Sequence, residues 1–190
     1  MIDKRKAIFI DKDGTLIIDV PYNVDPAKIV LSDDCTTGLK ELQAKGYWLV
    51  IISNQSGVAR GYFKEEALLM VEQQIKTILA EAGIRLDGFY YCPHYPQGEI
   101  QQYATDCDCR KPEPGMLLKA SGELHIDLPS SWMIGDILND VEAGNRAGCK
   151  TILIDNGNET EWLFSDRRVP TARVKNINEA AEYILRQDGK

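Results

Sequence analysis

Short apolar runs alternate with longer amphipathic segments along this chain. Five runs are short and mainly apolar and end in polar or turn residues, as buried parallel strands do. These are residues 7–10, 48–52, 88–91, 132–134 and 151–154. Five further segments carry apolar residues at helical spacing. These are residues 36–45, 65–82, 114–124, 138–147 and 177–186. The alternation predicts a doubly wound α/β fold, a Rossmann-like three-layer parallel sheet with helices on both faces.

Length and composition fit one domain, which we expect to span residues 1–190. A net charge of −7 argues against nucleic acid and anionic membranes as partners. A local basic site or a metal ion can still bind a phosphorylated small molecule. No apolar run has the length of a membrane span, and the segment Met1–Lys6 lacks a signal-peptide pattern. We therefore expect a cytoplasmic protein, and a monomer.

Polar motifs follow the predicted strands where parallel topology would bring them to one edge of the sheet. They are Asp11-Lys12-Asp13-Gly14-Thr15, Ser53-Asn54-Gln55-Ser56-Gly57 and Gly135-Asp136, with Arg110-Lys111-Pro112 before the third helix. Taken singly, each has an ordinary interpretation as a tight turn, a helix N-cap, a helix entry or a solvated basic pair. Their shared position at the carboxyl edge of the sheet instead favours one ligand site.

The chemistry that suits these residues is phosphoryl transfer. Asp11 and Asp136 can share a hard cation such as Mg²⁺, which prefers oxygen ligands. With its charge compensated, Asp11 can attack phosphorus and form an aspartyl-phosphate. Asp13 can protonate the leaving alkoxide and later accept a proton from water. The Ser53 hydroxyl can bind phosphoryl oxygens, and Lys111 can neutralise charge in the transition state.

The long loop between the third strand and the third helix carries a second candidate metal site. Cys92, His94, Cys107 and Cys109 provide three thiolates and one imidazole, the ligands of a closed tetrahedral structural zinc site. Buried cysteines and a surface histidine are the alternative, but a polar loop offers little core for them to join. All four positions are filled by protein, so the zinc is expected to be structural rather than catalytic. The loop, about residues 92–109, would depend on it for order.

The four strand-end motifs resemble those of the haloacid dehalogenase (HAD) superfamily. The resemblance extends from near the N-terminus past residue 140 and therefore covers most of the chain. The second aspartate of Asp-x-Asp-Gly-Thr, here Asp13, is typical of the phosphatases and not of the dehalogenases. The resemblance implies that the backbone carbonyl of Asp13 joins Asp11 and Asp136 as a Mg²⁺ ligand. It also implies the covalent intermediate on Asp11.

The zinc loop and the second strand end resemble a branch that contains heptose bisphosphate and histidinol-phosphate phosphatases without a large cap domain. The resemblance rests on Ser53–Phe63, on Cys92-Pro93-His94 and on Cys107-Asp108-Cys109-Arg110-Lys111. It implies a set of substrate-binding residues: Asp19, Tyr22, Ser53, Asn54, Gln55, Ser56, Arg60, Arg110 and Lys111. Two positions depart from the branch, since Ser53 stands where threonine is frequent and Ile137 where lysine is common.

These observations predict a Mg²⁺-dependent phosphatase with a structural Zn²⁺, acting on a phosphorylated sugar. Within the branch, the pattern favours removal of the 7-phosphate of D-glycero-D-manno-heptose 1,7-bisphosphate. Histidinol phosphate or another small phosphomonoester is the alternative substrate. A binding module for phosphate or zinc that performs no turnover is the alternative from another class. The presence together of Asp11, Asp13, Lys111 and Asp136 argues against that module.

Overall fold

A six-stranded parallel sheet forms the centre of this computed structural model, which describes residues 4–188. The strands are β1 (Ala7–Ile10), β2 (Trp48–Asn54), β3 (Gly88–Cys92), β4 (Trp132–Gly135), β5 (Lys150–Ile154) and β6 (Ala172–Val174). The helices are α1 (Thr36–Ala44), α2 (Ala67–Glu81), α3 (Gly115–Leu124), α4 (Leu138–Ala147) and α5 (Ile177–Asp188). The strand order β3-β2-β1-β4-β5-β6 confirms the predicted doubly wound sheet.

Alternate residues of the central strands build two apolar layers, one on each face of the sheet. In β1, Ile8 and Ile10 join a cluster with residues of α1, α2 and α5, while Ala7 and Phe9 join a cluster with residues of α3. All four residues of β1 are buried. A strand covered on both faces must be apolar at every position, which explains why its sequence is a continuous apolar run.

The sixth strand, β6, is the element that the apolar pattern did not predict. Its three residues lie at the edge of the sheet and are partly or fully exposed, so they lack the apolar run of a buried strand. The long loop was predicted correctly, because residues 93–114 contain neither a helix nor a strand. Between Asp13 and α1 the only helix is a 3₁₀ turn at Pro26–Lys28, which agrees with a fold without a large cap domain.

No helix within residues 4–188 combines the length and the apolar character needed to cross a membrane. The expectation that the N-terminal segment is not a signal peptide rests in part on Met1–Asp3, which lie outside the described residues.

Phe9→Ala tests the contribution of the central layer to stability. Phe9 has no exposed surface, and its truncation should lower the free energy of unfolding by about 3–5 kcal/mol because a cavity remains at the centre of the sheet. Urea unfolding followed by circular dichroism measures the loss. Phe164→Ala is the matched control, since Phe164 is 61% exposed and its loss should change stability by less than about 0.5 kcal/mol. Equal effects of the two substitutions would contradict this account of the core.

Candidate active site

The candidate site lies at the carboxyl edge of the sheet, where the chain order reverses. From β1 the chain continues to β2 and β3 on one side, and β4 then pairs with β1 on the other. Asp11 follows β1 directly and its amide donates to the carbonyl of Ile134 in β4 at 2.9 Å. Asp136 follows β4. Such a switch point opens a crevice between diverging loops, which is where doubly wound folds bind ligands.

A buried ammonium group joins the parts of this crevice. The Nζ of Lys111 donates to the Asp11 carboxylate and to the carbonyl of Ile52 at 2.9 Å. It also lies 2.6 Å from the carboxylate of Asp140 in α4. Its side chain is 2% exposed. Asn54 holds the backbone of the same lysine, because it accepts from the Lys111 amide at 3.0 Å and donates to the Lys111 carbonyl at 3.1 Å.

Asp136 is held from two directions. Its Oδ1 accepts from the Thr15 hydroxyl at 3.0 Å and its Oδ2 from the Asn158 side-chain amide at 2.6 Å. Gly14 lies close to Asp136 and Asn158, and its φ of +78° is in the left-handed region. A Cβ at this position would come within 2.3 Å of Asp136 Oδ2. The glycine of the Asp-x-Asp-Gly-Thr motif is therefore required both for its backbone conformation and for this close approach.

Negative charge exceeds positive charge at the buried end of the crevice. Asp11, Asp136 and Asp140 each offer a carboxylate oxygen, and these oxygens lie within 4.8 Å of one another. Burial raises the pKa of Asp11 to about 7, although the Lys111 ammonium lowers it in part. Burial, with the charge of Asp11, also raises the pKa of Asp136 to about 6. One ammonium thus does not compensate three carboxylates, and an oxygen-preferring cation fits their arrangement.

Asp13 lies nearer the mouth of the crevice than Asp11. Its carboxylate accepts from the Lys12 ammonium at 2.6 Å and from the Gln55 side-chain amide at 3.0 Å. The same Gln55 nitrogen donates to the Ser53 hydroxyl at 2.8 Å. Gln55 therefore connects the end of β2 with the residue proposed for proton transfer.

Six of the nine predicted substrate residues line two neighbouring cavities. One, of about 280 Å³, is lined by residues from the loops after β1 and β2, including Asp19, Tyr22, Gln55 and Ser56. The other, of about 320 Å³, is lined by Asp11, Asp13, Asp19, Asn54, Lys111, Asp136, Ile137 and Asn158. Asp13, Asp19 and Asn54 line both. Three predicted substrate residues line neither cavity. Ser53 is buried at the end of β2, and Arg60 and Arg110 lie against the ring of Tyr95.

The structure brings the four predicted zinc ligands together. The Sγ atom of Cys92 lies 3.5 Å from that of Cys107 and 2.8 Å from that of Cys109. The Nδ1 atom of His94 lies 3.3 Å from the Sγ of Cys109. Hydrogen bonding with Cys92 lowers the pKa of Cys109 to about 5, so this sulfur is the readiest to act as a thiolate. None of the five cysteines forms a disulfide within the described chain, and the donors fit a zinc ion.

Three side chains of the site have no assigned role in the sequence prediction: Asp140, Thr15 and Asn158. Asp140 lies one helical turn after Asp136, a spacing that brings it near the site but does not indicate which residue it contacts. Lys111 supplies that partner. Asn158 comes from the loop after β5, where no motif signals its approach to Asp136.

Several known proteins are similar to this chain. A family model described as HAD-hydrolase-like matches residues 108–180. The D-glycero-beta-D-manno-heptose-1,7-bisphosphate 7-phosphatase of Pasteurella multocida (strain Pm70) is 47% identical over 154 residues, which are 80% of this chain and 83% of the relative. The phosphatase of the same name from Escherichia coli (strain K12) is 39% identical over 168 residues, 84% of this chain and 88% of the relative.

Solved structures give the same result for the fold. A HAD-like phosphatase from Mesorhizobium loti aligns with a TM-score of 0.83 and 32% identity, covering 96% of this chain and 85% of that chain. A D,D-heptose 1,7-bisphosphate phosphatase from B. bronchiseptica aligns with a TM-score of 0.78 and 27% identity, covering 96% and 99%. The latter structure is a complex with magnesium and phosphate.

Proposed function

This chain belongs to the family of D-glycero-beta-D-manno-heptose-1,7-bisphosphate 7-phosphatases within the HAD superfamily, and we propose that it hydrolyses the 7-phosphate of that bisphosphate. The proposal takes residues 1–190 as one catalytic domain that acts as a monomer in the cytoplasm. One observation carries it: Asp11 lies buried beside Lys111 and within reach of Asp136, with Asp13 at the mouth of the same crevice.

Asp11 is the proposed nucleophile. Its carboxylate attacks phosphorus, a new oxygen–phosphorus bond forms, and the bond from phosphorus to the sugar oxygen breaks. Asp13 gives its proton to the leaving sugar oxygen and later removes a proton from the water that attacks the aspartyl-phosphate. That second attack restores Asp11 and releases inorganic phosphate. Lys111, already in contact with Asp11, offsets the negative charge on the transferring group.

The remaining crevice residues are proposed to bind and orient the substrate. The Ser53 hydroxyl and the neighbouring polar groups of Asn54, Gln55 and Ser56 lie at the end of β2, where they can receive phosphoryl oxygens. Asp19 and Tyr22 line the adjoining cavity and would contact the sugar. Arg60 and Arg110 would receive the second phosphate, because their positive charges attract it.

Asp11, Asp136 and the backbone carbonyl of Asp13 would hold Mg²⁺. When bound, the ion would supply positive charge to the phosphoryl oxygens and remove the repulsion between substrate and carboxylates. Asp140 belongs to the same carboxylate cluster, but its contact with Lys111 suits it better to orient that lysine. Cys92, His94, Cys107 and Cys109 would hold Zn²⁺ as a structural ion, because all four tetrahedral positions come from the chain.

A substrate panel tests the proposed function. Phosphate release is measured with both anomers of the heptose 1,7-bisphosphate, with histidinol phosphate and with p-nitrophenyl phosphate, and ³¹P NMR identifies which phosphate is lost. We expect the highest kcat/KM for a bisphosphate, with loss of the 7-phosphate. A higher kcat/KM for histidinol phosphate would show that the proposed substrate is wrong and would favour the alternative substrate. Binding without turnover of any ester would favour the non-catalytic module.

Asp11→Asn should abolish turnover and leave the fold intact, because an amide has the shape of the carboxylate but cannot attack phosphorus. Asp13→Asn should slow the reaction by roughly 10²–10⁴-fold, the range for lost general acid–base catalysis. Steady-state kinetics and mass spectrometry of acid-quenched enzyme measure the two effects. Asp166→Asn is the matched control, since Asp166 is exposed and remote from the crevice. Near-normal activity of Asp11→Asn would contradict the covalent mechanism.

Chelation tests the catalytic cation. EDTA should abolish phosphate release and added Mg²⁺ should restore it, because the carboxylates of the crevice need a compensating charge. Ca²⁺ should inhibit, since it accepts more ligands at looser geometry and can bind both oxygens of Asp11. Kinetics in buffers cleared of metal, then titrated with each ion, measure the effect. Full activity in a rigorously Mg²⁺-depleted sample would refute this assignment.

Metal analysis tests the zinc ion, which we expect at one per chain, with about 2.3 Å to sulfur and about 2.0 Å to nitrogen. Cys107→Ala or Cys109→Ala should lower thermal stability and raise KM for a bisphosphate far more than for a monophosphate. The reason is that a disordered loop displaces Arg110, which follows Cys109 directly. Cys149→Ala is the control that should retain zinc. A protein free of zinc yet fully active would disprove the structural role.

A further inference from the structure

Two arginines from different loops share one aromatic ring beside the candidate site. The guanidinium carbon of Arg60 lies 4.0 Å from the centre of the Tyr95 ring, and that of Arg110 lies 5.2 Å from the same centre. Arg60 comes from the loop after β2, and Arg110 directly follows the zinc loop. Both distances are within the range of attraction between a cation and an aromatic face. Tyr95 has no role in the sequence prediction.

The backbone around Tyr95 is held on several sides. Its amide donates to the carbonyl of Tyr103 at 3.1 Å, and its carbonyl accepts from the amide of Gly98 at 2.8 Å. The loop then packs on the residue before Arg60, because the Ile100 amide donates to the Ala59 carbonyl at 2.9 Å. A Cβ on Gly98 would come within 2.7 Å of the same carbonyl. The Tyr95 segment and the Arg60 segment are therefore docked directly on each other.

The two guanidinium groups lack a compensating negative charge. Within residues 4–188, neither Arg60 nor Arg110 has a carboxylate oxygen within 4.0 Å. The Nε of Arg60 is buried and has no hydrogen-bond partner in the described chain. Two neighbouring cations in a protein of net charge −7 would ordinarily be expected to pair with carboxylates. Both arginines are partly exposed, and without carboxylate partners their charges stay available to an anionic ligand.

The arginine pair is close to the substrate cavity. The amide of Arg60 donates to the carbonyl of Ser56, which lines that cavity, at 3.0 Å. Tyr22, another lining residue, packs edge-on against Tyr62 with ring centres 4.6 Å apart. Arg110 precedes Lys111, whose ammonium contacts Asp11. A second phosphate bound by the two arginines would thus lie near the substrate cavity while the reacting phosphate of the same substrate lies at Asp11.

We propose that Tyr95 is a positioning residue that holds the guanidinium groups of Arg60 and Arg110 together as one site for the second phosphate of a bisphosphate substrate. The inference rests on the proposed function and deepens it. The ring attracts both cations and so reduces the repulsion that would separate them. Arg110 Nη1 also donates to the carbonyl of His94 at 3.4 Å, and the other N–H groups of the two planar guanidinium groups can serve phosphate oxygens. Tyr95 itself contacts neither the reacting phosphorus nor Asp11.

Tyr95→Leu and Tyr95→Phe test the ring directly. We expect Tyr95→Leu to raise KM for the heptose bisphosphate by roughly threefold to thirtyfold, the equivalent of a lost cation–aromatic contact. The kcat value, and both constants for p-nitrophenyl phosphate, should change by less than about twofold, because a monophosphate has no second group to place. Tyr95→Phe keeps the ring and should restore most of the bisphosphate KM. A purely structural role would change both substrates together.

A double-mutant cycle that combines Tyr95→Leu with Arg60→Gln tests whether Tyr95 acts through Arg60. If Tyr95 acts through Arg60, the two substitutions should raise KM for the bisphosphate by less than the product of their separate effects. Tyr90→Leu is the matched control. The Tyr90 ring also faces a cation, the ammonium of Lys119, but Tyr90 lies on β3 and donates a hydrogen bond to Glu123. The KM of the Tyr90→Leu variant for the bisphosphate should equal that of the parent protein.

The outcomes separate this inference from the proposed function. A parent protein that turns over no bisphosphate would refute both. A parent that turns it over, with Tyr95→Leu and Arg60→Gln both unchanged in KM, would refute the inference alone. Equal losses on the bisphosphate and the monophosphate would also refute it. Should Tyr95→Leu fail to fold, Tyr95→Met and Arg60→Gln give the same comparison. Zinc content of each variant shows whether an effect arises from loss of the metal.

Discussion

The burial of one ammonium group among carboxylates is the interaction on which the arrangement of the site depends. Lys111 contacts the end of β1 through Asp11, the end of β2 through the Ile52 carbonyl, and α4 through Asp140. A buried ion pair adds little net stability, because desolvation of the charges offsets their attraction. Its effect is positional: the long loop before α3 must end where this lysine can reach three other elements. The geometry of the crevice follows from that requirement.

The zinc loop and the crevice are mechanically connected through this lysine. Cys109, Arg110 and Lys111 are consecutive, so a candidate zinc ligand, a proposed phosphate ligand and the buried cation lie on one short stretch of backbone. Asn54 holds that stretch to the end of β2 with two hydrogen bonds. With zinc bound at Cys109, this stretch would be anchored at both ends, and the orientation of Arg110 between them would be restricted. A loop with little apolar core can in this way present a side chain as reproducibly as a helix does.

The sequence predicts the sheet and the strand-end residues well, because both follow from simple patterns. A strand buried on both faces is a continuous apolar run, and polar motifs that follow such runs lie at one edge of a parallel sheet. The pattern fails where burial is incomplete, as in the edge strand β6. It also fails where a side chain arrives from a distant loop, since nothing in the sequence around Asn158 indicates Asp136 as its partner. The Tyr95 contacts were missed for the same reason.

The charge in the crevice links cation binding to folding. Unfolded aspartates have a pKa near 3.8, whereas in the folded chain the pKa of Asp11 is about 7 and that of Asp136 about 6. The folded state thus binds more protons than the unfolded state across this interval, and its stability falls as the pH rises from about 4 to about 7. The apolar layers on the two faces of the sheet must supply the stability that these carboxylates remove. A divalent cation on the carboxylates opposes that loss, because it binds the folded arrangement in preference to the dispersed side chains of the unfolded chain. The same carboxylates whose burial opposes folding therefore favour the binding of a cation and, with it, of an anionic phosphate.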